Sequence, residues 1–459
     1  MSLASRNREQ LIKSARTVLT ENDRGGYTIP TDGLYPFQWN WDSAICALGW
    51  QTFDEHRAWQ EIERLLQGQW SNGMVPHMVF HQYVDDYFPG ADFWGVDRQP
   101  QTSSITQPPI LATVVKQLHD NAIHHELTVQ RVKGLLPKLI AYHHYFYRSR
   151  DPEGESLVVS FHPWESGMDN SPSWDLALSR VPRFSESYNR TDLQLVEGDE
   201  RPLKSEYDRY LFLVNQFKKL AFCDQAIASE CAYQVQDFGF NALLLRATED
   251  LLSLCASYCD SYCDSYCNSR CENFCEKSAN NVDKSFEKNT QLIDQVKDLR
   301  ESQRRAEQGL AKLWSSALGH YCSRDRSTDE LIGVATSASY LGLFAGLASA
   351  EQAAILARSI EQSLASAPYG IASTHPHEPS YESQRYWRGP SWLHINWMIY
   401  EGCERYGYRQ LAERIKAVSL DCITQHGFWE YYDSNSGDGC GGDKFSWTAA
   451  IALYWLLDT

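Results

Sequence analysis

Residues 35–50 read YPFQWNWDSAICALGW, an aromatic and polar loop that passes directly into an apolar run. Asp42 and Ser43 stand at the junction, where a side-chain oxygen can take up a free N–H of a first helical turn, so the run 43–50 is predicted to be a helix. The junction recurs along the chain: Gln107-Pro108-Pro109, Gly389-Pro390-Ser391 and Phe445-Ser446 each put a cap residue or a first-turn proline ahead of an apolar run. Working outward, apolar residues recur at helical spacing around 8–19, 43–50, 56–69, 106–119, 128–147, 206–221, 239–254, 285–316, 335–345, 351–365, 391–406, 409–424 and 446–457. Strand-like alternation is rare. Helices joined by long, aromatic-rich loops fit a ring of paired helices better than a bundle with brief connections. In such a ring, alternate helix starts share one end, so residues hundreds of positions apart converge on one cavity.

The chain has 459 residues, a length that helical rings reach around a single core, and one domain is expected over 1–459. A formal net charge of −17 and the absence of a basic stripe exclude a phosphate-backbone binder, so nucleic acid is not an expected partner. The opening MSLASRNREQ lacks the apolar core of a secretory signal, and no uncharged apolar run is long enough to span a bilayer. Thirteen cysteines show no framework of paired spacings. Reduced thiols, a cytoplasmic location and no membrane partner are the expectations. The oligomeric state is left open, a homo-oligomer included.

Fifteen tryptophans are many, and Trp39, Trp41, Trp94, Trp164, Trp174, Trp387, Trp392, Trp429 and Trp447 sit in polar loop motifs. A sugar ring offers an apolar C–H face that packs on an aromatic plane and a rim of hydroxyls that pair with carboxylates, amides and guanidinium groups. A single tryptophan is more often core, but five clusters together point to a small-molecule sugar partner. HPWESGMDNSPSWD, residues 162–175, concentrates Glu165, Asp169 and Asp175 between two tryptophans. Glycosidic hydrolysis needs a protonated carboxyl as donor to the leaving oxygen, and an apolar wall keeps it protonated. Spacing alone does not choose among the three acids. A second carboxylate has to come from a distant loop, and GFWEYYDSNSG at 427–437 offers Glu430 inside an aromatic run, a segment that also reads as a strand and turn.

The ordered series YPFQWNWDS (35–43), QWSNGMVPHMVF (69–80), TSSITQPP (102–109), HPWESGMDNSPSWD, YWRGPSW (386–392) and GFWEYYDSNSG with FSWTAA resembles glycoside hydrolase family 63. It is most similar to the branch acting on mannosylglycerate and glucosylglycerate. The resemblance implies an all-α (α/α)6 barrel, hydrolysis with inversion, and no metal or organic cofactor. It implies Asp169 as general acid and Glu430 as general base, with Asp42, Gln107, Trp164, Tyr386 and Trp387 lining the substrate. Trp39 and Trp41 of the first motif join that set. In an inverting enzyme the two carboxyl groups stand about 6.5–9.5 Å apart so that a water fits between base and sugar. A trehalase or another small α-glucosidase is the second reading.

A substrate carboxylate calls for a guanidinium, and Arg209 in EYDRYL and Arg388 in YWRGP are the candidates, with Tyr35, Tyr87 and Tyr207 as hydroxyl donors. Arg209 equally reads as an ion-pair partner on its own helix, and His77 reads as core rather than pocket. One stretch departs from the family pattern: Cys255, Cys259, Cys263, Cys267, Cys271 and Cys275 recur every four residues. On a helix each step of four advances about 400°, which makes successive thiols neighbours. The repeat reads as an expanded tetrapeptide on a helical hairpin over 255–312 that projects from the ring, with metal binding or thiol sensing as the reading from another class.

Overall fold

Six helices form the inside of the barrel, and each is buried nearly all round, the pattern expected of a helix with neighbours on every side. The computed structural model describes residues 3–85, 87–258 and 285–457. The ring pairs run α1 (Leu3–Glu21) with α2 (Asn40–Gln51), α3 (Glu55–Leu65) with α4 (Leu111–Asp120), and α5 (His125–Ser149) with α6 (Phe238–Tyr258). They continue with α7 (Ser285–Ala311) and α8 (Leu341–Phe344), α9 (Ala350–Ser366) and α10 (Leu393–Arg405), and α11 (Arg409–His426) and α12 (Ser446–Leu457). The even-numbered helices are inner: α2 packs on α4, α4 on α6, α6 on α8, α8 on α10, α10 on α12, and α12 returns to α2. The fold is an (α/α)6 toroid. All twelve residues of α2 are buried. By contrast, the outer helix α9 buries Ala353, Leu356, Ala357, Ile360 and Leu364, a stripe at three- and four-residue spacing.

The helices expected from apolar spacing are present, though several are shorter than their patterns: 106–119 starts only at Leu111, 285–316 ends at Ala311, and 335–345 is shortest. The expected 335–345 helix is a 3-10 turn, Ser337–Tyr340, running into α8. Between α5 and α6 the chain leaves the ring and builds a cover from a long irregular segment and the helices Lys204–Lys219 and Asp224–Glu230. The cover has its own apolar cluster, in which Trp164, Trp174, Tyr207, Tyr210, Leu211 and Phe217 are buried. Short antiparallel ladders stiffen the loops: Trp39 pairs with Met78 and Val79 with Thr102, while Tyr431–Tyr432 pairs with Gly439–Cys440 in a hairpin between α11 and α12.

The expected hairpin over 255–312 requires a correction. Cys255 is fully buried in α6, and α7 is an outer helix of the ring, packed on α6 and α5. The reason lies in its apolar stripe: Val296, Leu299, Ala306 and Leu310 recur on one face and are buried there. Cys259, Cys263, Cys267, Cys271 and Cys275 lie outside the described residues. Among the described residues, no cluster of three His, Cys, Asp or Glu side chains is placed to hold a metal, and no helix is long and apolar enough to cross a membrane.

Leu299, 0% exposed, tests the place of α7. In the ring, Leu299→Ala leaves a core cavity and is expected to cost about 2–5 kcal/mol in urea unfolding. A projecting arm would lose far less, so a cost under about 0.5 kcal/mol would remove α7 from the core.

Candidate active site

The N-terminal ends of four inner helices, α2, α4, α10 and α12, reach one cavity of about 870 Å³, part of it open solvent. Trp39, Trp41 and Asp42 enter from the start of α2, Gln107 from the turn before α4, Trp392 from the start of α10, and Phe445 and Trp447 from the start of α12. The cover adds Trp164, Asp169, Thr191, Asp192, Arg201 and Tyr207, and the loop after α9 adds Tyr386 and Trp387. Aromatic planes pave the walls. Trp387 stacks on Trp392 with centroids 3.9 Å apart, and Trp392 stacks in turn on Tyr431.

Of the three acids in the 162–175 motif, only Asp169 lines the cavity. Glu165 is consumed by a buried two-pronged pair with Arg150, at 2.9 and 2.6 Å, and by the N–H of Phe161 at 2.8 Å. Asp175 sits half-exposed outside, paired with Arg388. The turn that aims Asp169 is held from three sides. Tyr210 donates its hydroxyl to the Asp169 carbonyl, the Trp174 indole donates to the Met168 carbonyl, and the Trp387 N–H donates to Asn170 Oδ1 at 2.9 Å. Gly167 permits the turn: its φ is +70°, and a Cβ there would lie 2.6 Å from Trp41 Cη2.

Glu430 lies at the base of the hairpin and is 1% exposed. Its Oε1 accepts from the Tyr35 hydroxyl at 3.0 Å, and its Oε2 accepts from the Gly442 N–H at 3.2 Å and from Arg201 Nη1 at 3.5 Å. Gly441, with φ +73°, makes room, because a Cβ there would sit 2.3 Å from Glu430 Oε2. Burial drives the two carboxyls in the same direction and their partners separate them. Desolvation pushes Asp169 up to about 7 against the pull of Arg201. Desolvation also raises Glu430, but Arg201, the Gly442 N–H and the Tyr35 hydroxyl all favour its charged form. Asp42, beside Glu430 and nearly inaccessible, is raised well above the ordinary carboxylate range by burial.

Tyr35, Trp39, Trp41, Asp42, Gln107, Trp164, Tyr386 and Trp387 of the motifs all line the cavity, and so do Tyr87 and Tyr207, named as hydroxyl donors. The two candidate arginines are corrected. Arg209 is outside the cavity and donates to the Ser205 carbonyl one turn back on its own helix. Arg388 is also outside, its guanidinium bound to Asp175 and Glu206. The guanidinium that faces the cavity belongs to Arg201, which sequence reasoning missed together with Asp192. Arg201 Nη2 donates to the Tyr35 hydroxyl at 2.6 Å, Nε reaches Asp192 at 3.2 Å, and the plane lies over the Tyr386 ring. The signal for these two was the stretch 180–203, a long run without helical periodicity, the kind of loop that compact proteins keep for function. His77, read as core, lines the cavity instead, stacked on Trp164 and held neutral by burial with a pKa of about 3.

A helical toroid with an indole-walled cavity lined by a pair of carboxyls defines a glycoside hydrolase. The comparisons agree. The chain matches the family described as mannosylglycerate hydrolase MGH1-like glycoside hydrolase domain over residues 35–270 and 288–448, and it belongs to that family. It is 42% identical to a mannosylglycerate hydrolase of Selaginella moellendorffii, MGH1, over 98% of this chain and 86% of that one. It is 44% identical to the mannosylglycerate hydrolase of Thermus thermophilus over 95% of this chain and 98% of that one. A crystal structure of the family 63 mannosylglycerate hydrolase from Thermus thermophilus, in complex with Tris and D-glycerate, superposes with a TM-score of 0.87 at 43% identity, covering 97% of this chain and 99% of that one.

Gly441→Ala forces Glu430 out of place while leaving the ring untouched. Turnover is expected to fall about 100-fold, with an unchanged circular dichroism spectrum; a wild-type kcat would show that the position of this carboxylate is immaterial.

Proposed function

We propose that the protein hydrolyses the α-glycosidic bond of a hexosylglycerate, mannosylglycerate or glucosylglycerate, to hexose and glycerate with inversion at the anomeric carbon. The observation that carries the reading is that Asp169 and Glu430, far apart in the chain, line one aromatic cavity together with Arg201. Asp169, held protonated near neutrality, gives its proton to the glycosidic oxygen as the bond to the anomeric carbon breaks. Glu430, whose charged form is supported by Arg201, the Gly442 N–H and the Tyr35 hydroxyl, takes a proton from a water that bonds to the opposite face of that carbon. Asp42 and the indole walls hold the hexose.

The glycerate half is supported by charge. An acidic protein has brought a guanidinium into its sugar cavity, and a neutral disaccharide does not need one. Arg201 spends one N–H each on Asp192, Glu430 and Tyr35, so each Nη keeps a second N–H for a carboxylate. Tyr87 and Tyr207 add hydroxyls beside it. The ring and its cover act as one catalytic domain. A cytosolic location suits the thiols of Cys46, Cys223, Cys231, Cys322, Cys403, Cys422 and Cys440, which form no disulfide among the described residues.

Incubation with mannosylglycerate, glucosylglycerate, trehalose and maltose is expected to release hexose from a glycerate glycoside, and proton NMR should show the β-anomer first. Release from trehalose alone overturns the glycerate assignment, and a first-formed α-anomer overturns inversion. Asp169→Asn and Glu430→Gln should each lower kcat about 100-fold or more; activity within about tenfold of wild type in either would reassign the roles. Because Asp169 works protonated, the rate should fall as pH rises past about 7.

A further inference from the structure

Glu430 is the end of a chain of alternating charge that begins on the cover. Arg190 Nε donates to Asp192 Oδ1 at 3.0 Å and its Nη2 to Oδ2; Asp192 Oδ2 also accepts from Arg201 Nε at 3.2 Å; Arg201 then reaches Glu430 and Tyr35. The members have little freedom to rearrange. Arg190 is pinned by the Pro202 carbonyl at 2.6 Å and lies over the Tyr207 ring, and the Asp192 side chain is 13% exposed.

We propose that Asp192 is a positioning residue for both reacting carboxyl groups: it orients Arg201 and offsets part of its charge, and so sets how strongly that guanidinium acts on Asp169 and Glu430. The proposal rests on the roles given to those two carboxyls above. The groups facing Arg201 are Tyr35, Tyr386, Asp192 and Glu430, and its charge also acts on Tyr87, Tyr207, Tyr431, Glu200 and Asp169. Asp192 faces Arg190, Arg201, Tyr87, Tyr188 and Tyr207. On the far side, Glu206 acts on Asp169, and Asp42 faces Glu430. The tyrosines stay neutral through the working range, since burial raises them all, so the balance among Arg190, Asp192 and Arg201 is what changes when one of these is replaced.

Arg201 pulls both carboxyls toward the charged form, and the negative charge of Asp192 works against it. Removing that charge makes both carboxyls give up protons at lower pH; removing Arg190 does the reverse.

The experiment is the pH profile of kcat/KM, which reports the acid and the base of the free enzyme, for the wild type, Asp192→Asn, Asp192→Glu and Arg190→Gln. Each profile is taken on whichever α-glycoside the wild type cleaves, so a failed glycerate assignment changes the substrate and not the test. Asp192→Asn is expected to move both limbs about one pH unit to acid, Asp192→Glu to return them toward wild type, and Arg190→Gln to move them to alkali. Unmoved limbs with a uniform loss of rate would reduce Asp192 to a structural part and overturn the proposal, as would shifts of the same sign in Asp192→Asn and Arg190→Gln. If Asp192→Asn does not fold, the sign of the Arg190→Gln shift decides. Wild-type limbs in Asp169→Asn and Glu430→Gln would instead indict the assignment of acid and base.

Discussion

Two carboxyl groups, Glu430 buried and Asp169 partly so, are held around one guanidinium, and much of the site follows from that arrangement. Taking a carboxylate from water is expensive, so a buried acid either keeps its proton or is given partners. Asp169 leans to the first course: desolvation in the cavity wall pushes its carboxyl up to about 7. Glu430 takes the second, with a hydroxyl, a backbone N–H and Arg201 supporting its charge. The same desolvation thus acts on two carboxyls, and what separates them is the set of hydrogen-bond partners each one has. Arg201 would itself be too costly to bury alone, and Asp192 and the face of Tyr386 offset that cost.

The ring's contribution is to make this arrangement rigid. Inner helices packed on every side cannot tilt without opening the core, so the loops at their N-terminal ends are fixed relative to one another. Function then sits on the connections. The segment between α5 and α6 carries Asp169, Asp192 and Arg201, the hairpin between α11 and α12 carries Glu430, and the loop between α9 and α10 carries Tyr386 and Trp387. These pieces are also tied to each other: the Gly441 N–H donates to Glu200 Oε2 at 2.9 Å, and the Tyr431 hydroxyl donates to the Glu200 carbonyl. Glu430 and the guanidinium that reaches it are therefore placed by one joint between cover and hairpin.

Most of the ring was legible because helical periodicity and helix-start residues are local properties, set within a few turns of chain. Motif residues such as Asp42, Gln107, Trp164 and Trp387 were legible for a similar reason, since a sugar-binding loop concentrates aromatic and polar side chains in short runs. What local pattern reported poorly was pairing. Arg388 and Arg209 look like Arg201 in sequence, yet Asp175 and Glu206 claim the first and a helix carbonyl claims the second. The apolar face of α7 was visible as a charged helix with a stripe, but not which helix it would cover.

The sequence by itself determined an acidic chain of apolar-faced helices, the aromatic loops between them and the short set of acids from which a catalytic pair had to come. Only the tertiary structure decided that Asp169 is free while Glu165 is tied to Arg150, that Arg201 serves the cavity, and that α7 closes the ring. The physical reason is that a side chain's chemistry depends on which partners reach it and how much water remains. Both are set by groups that the fold brings together, from 15 residues away for Arg150 on Glu165 to 229 for Arg201 on Glu430.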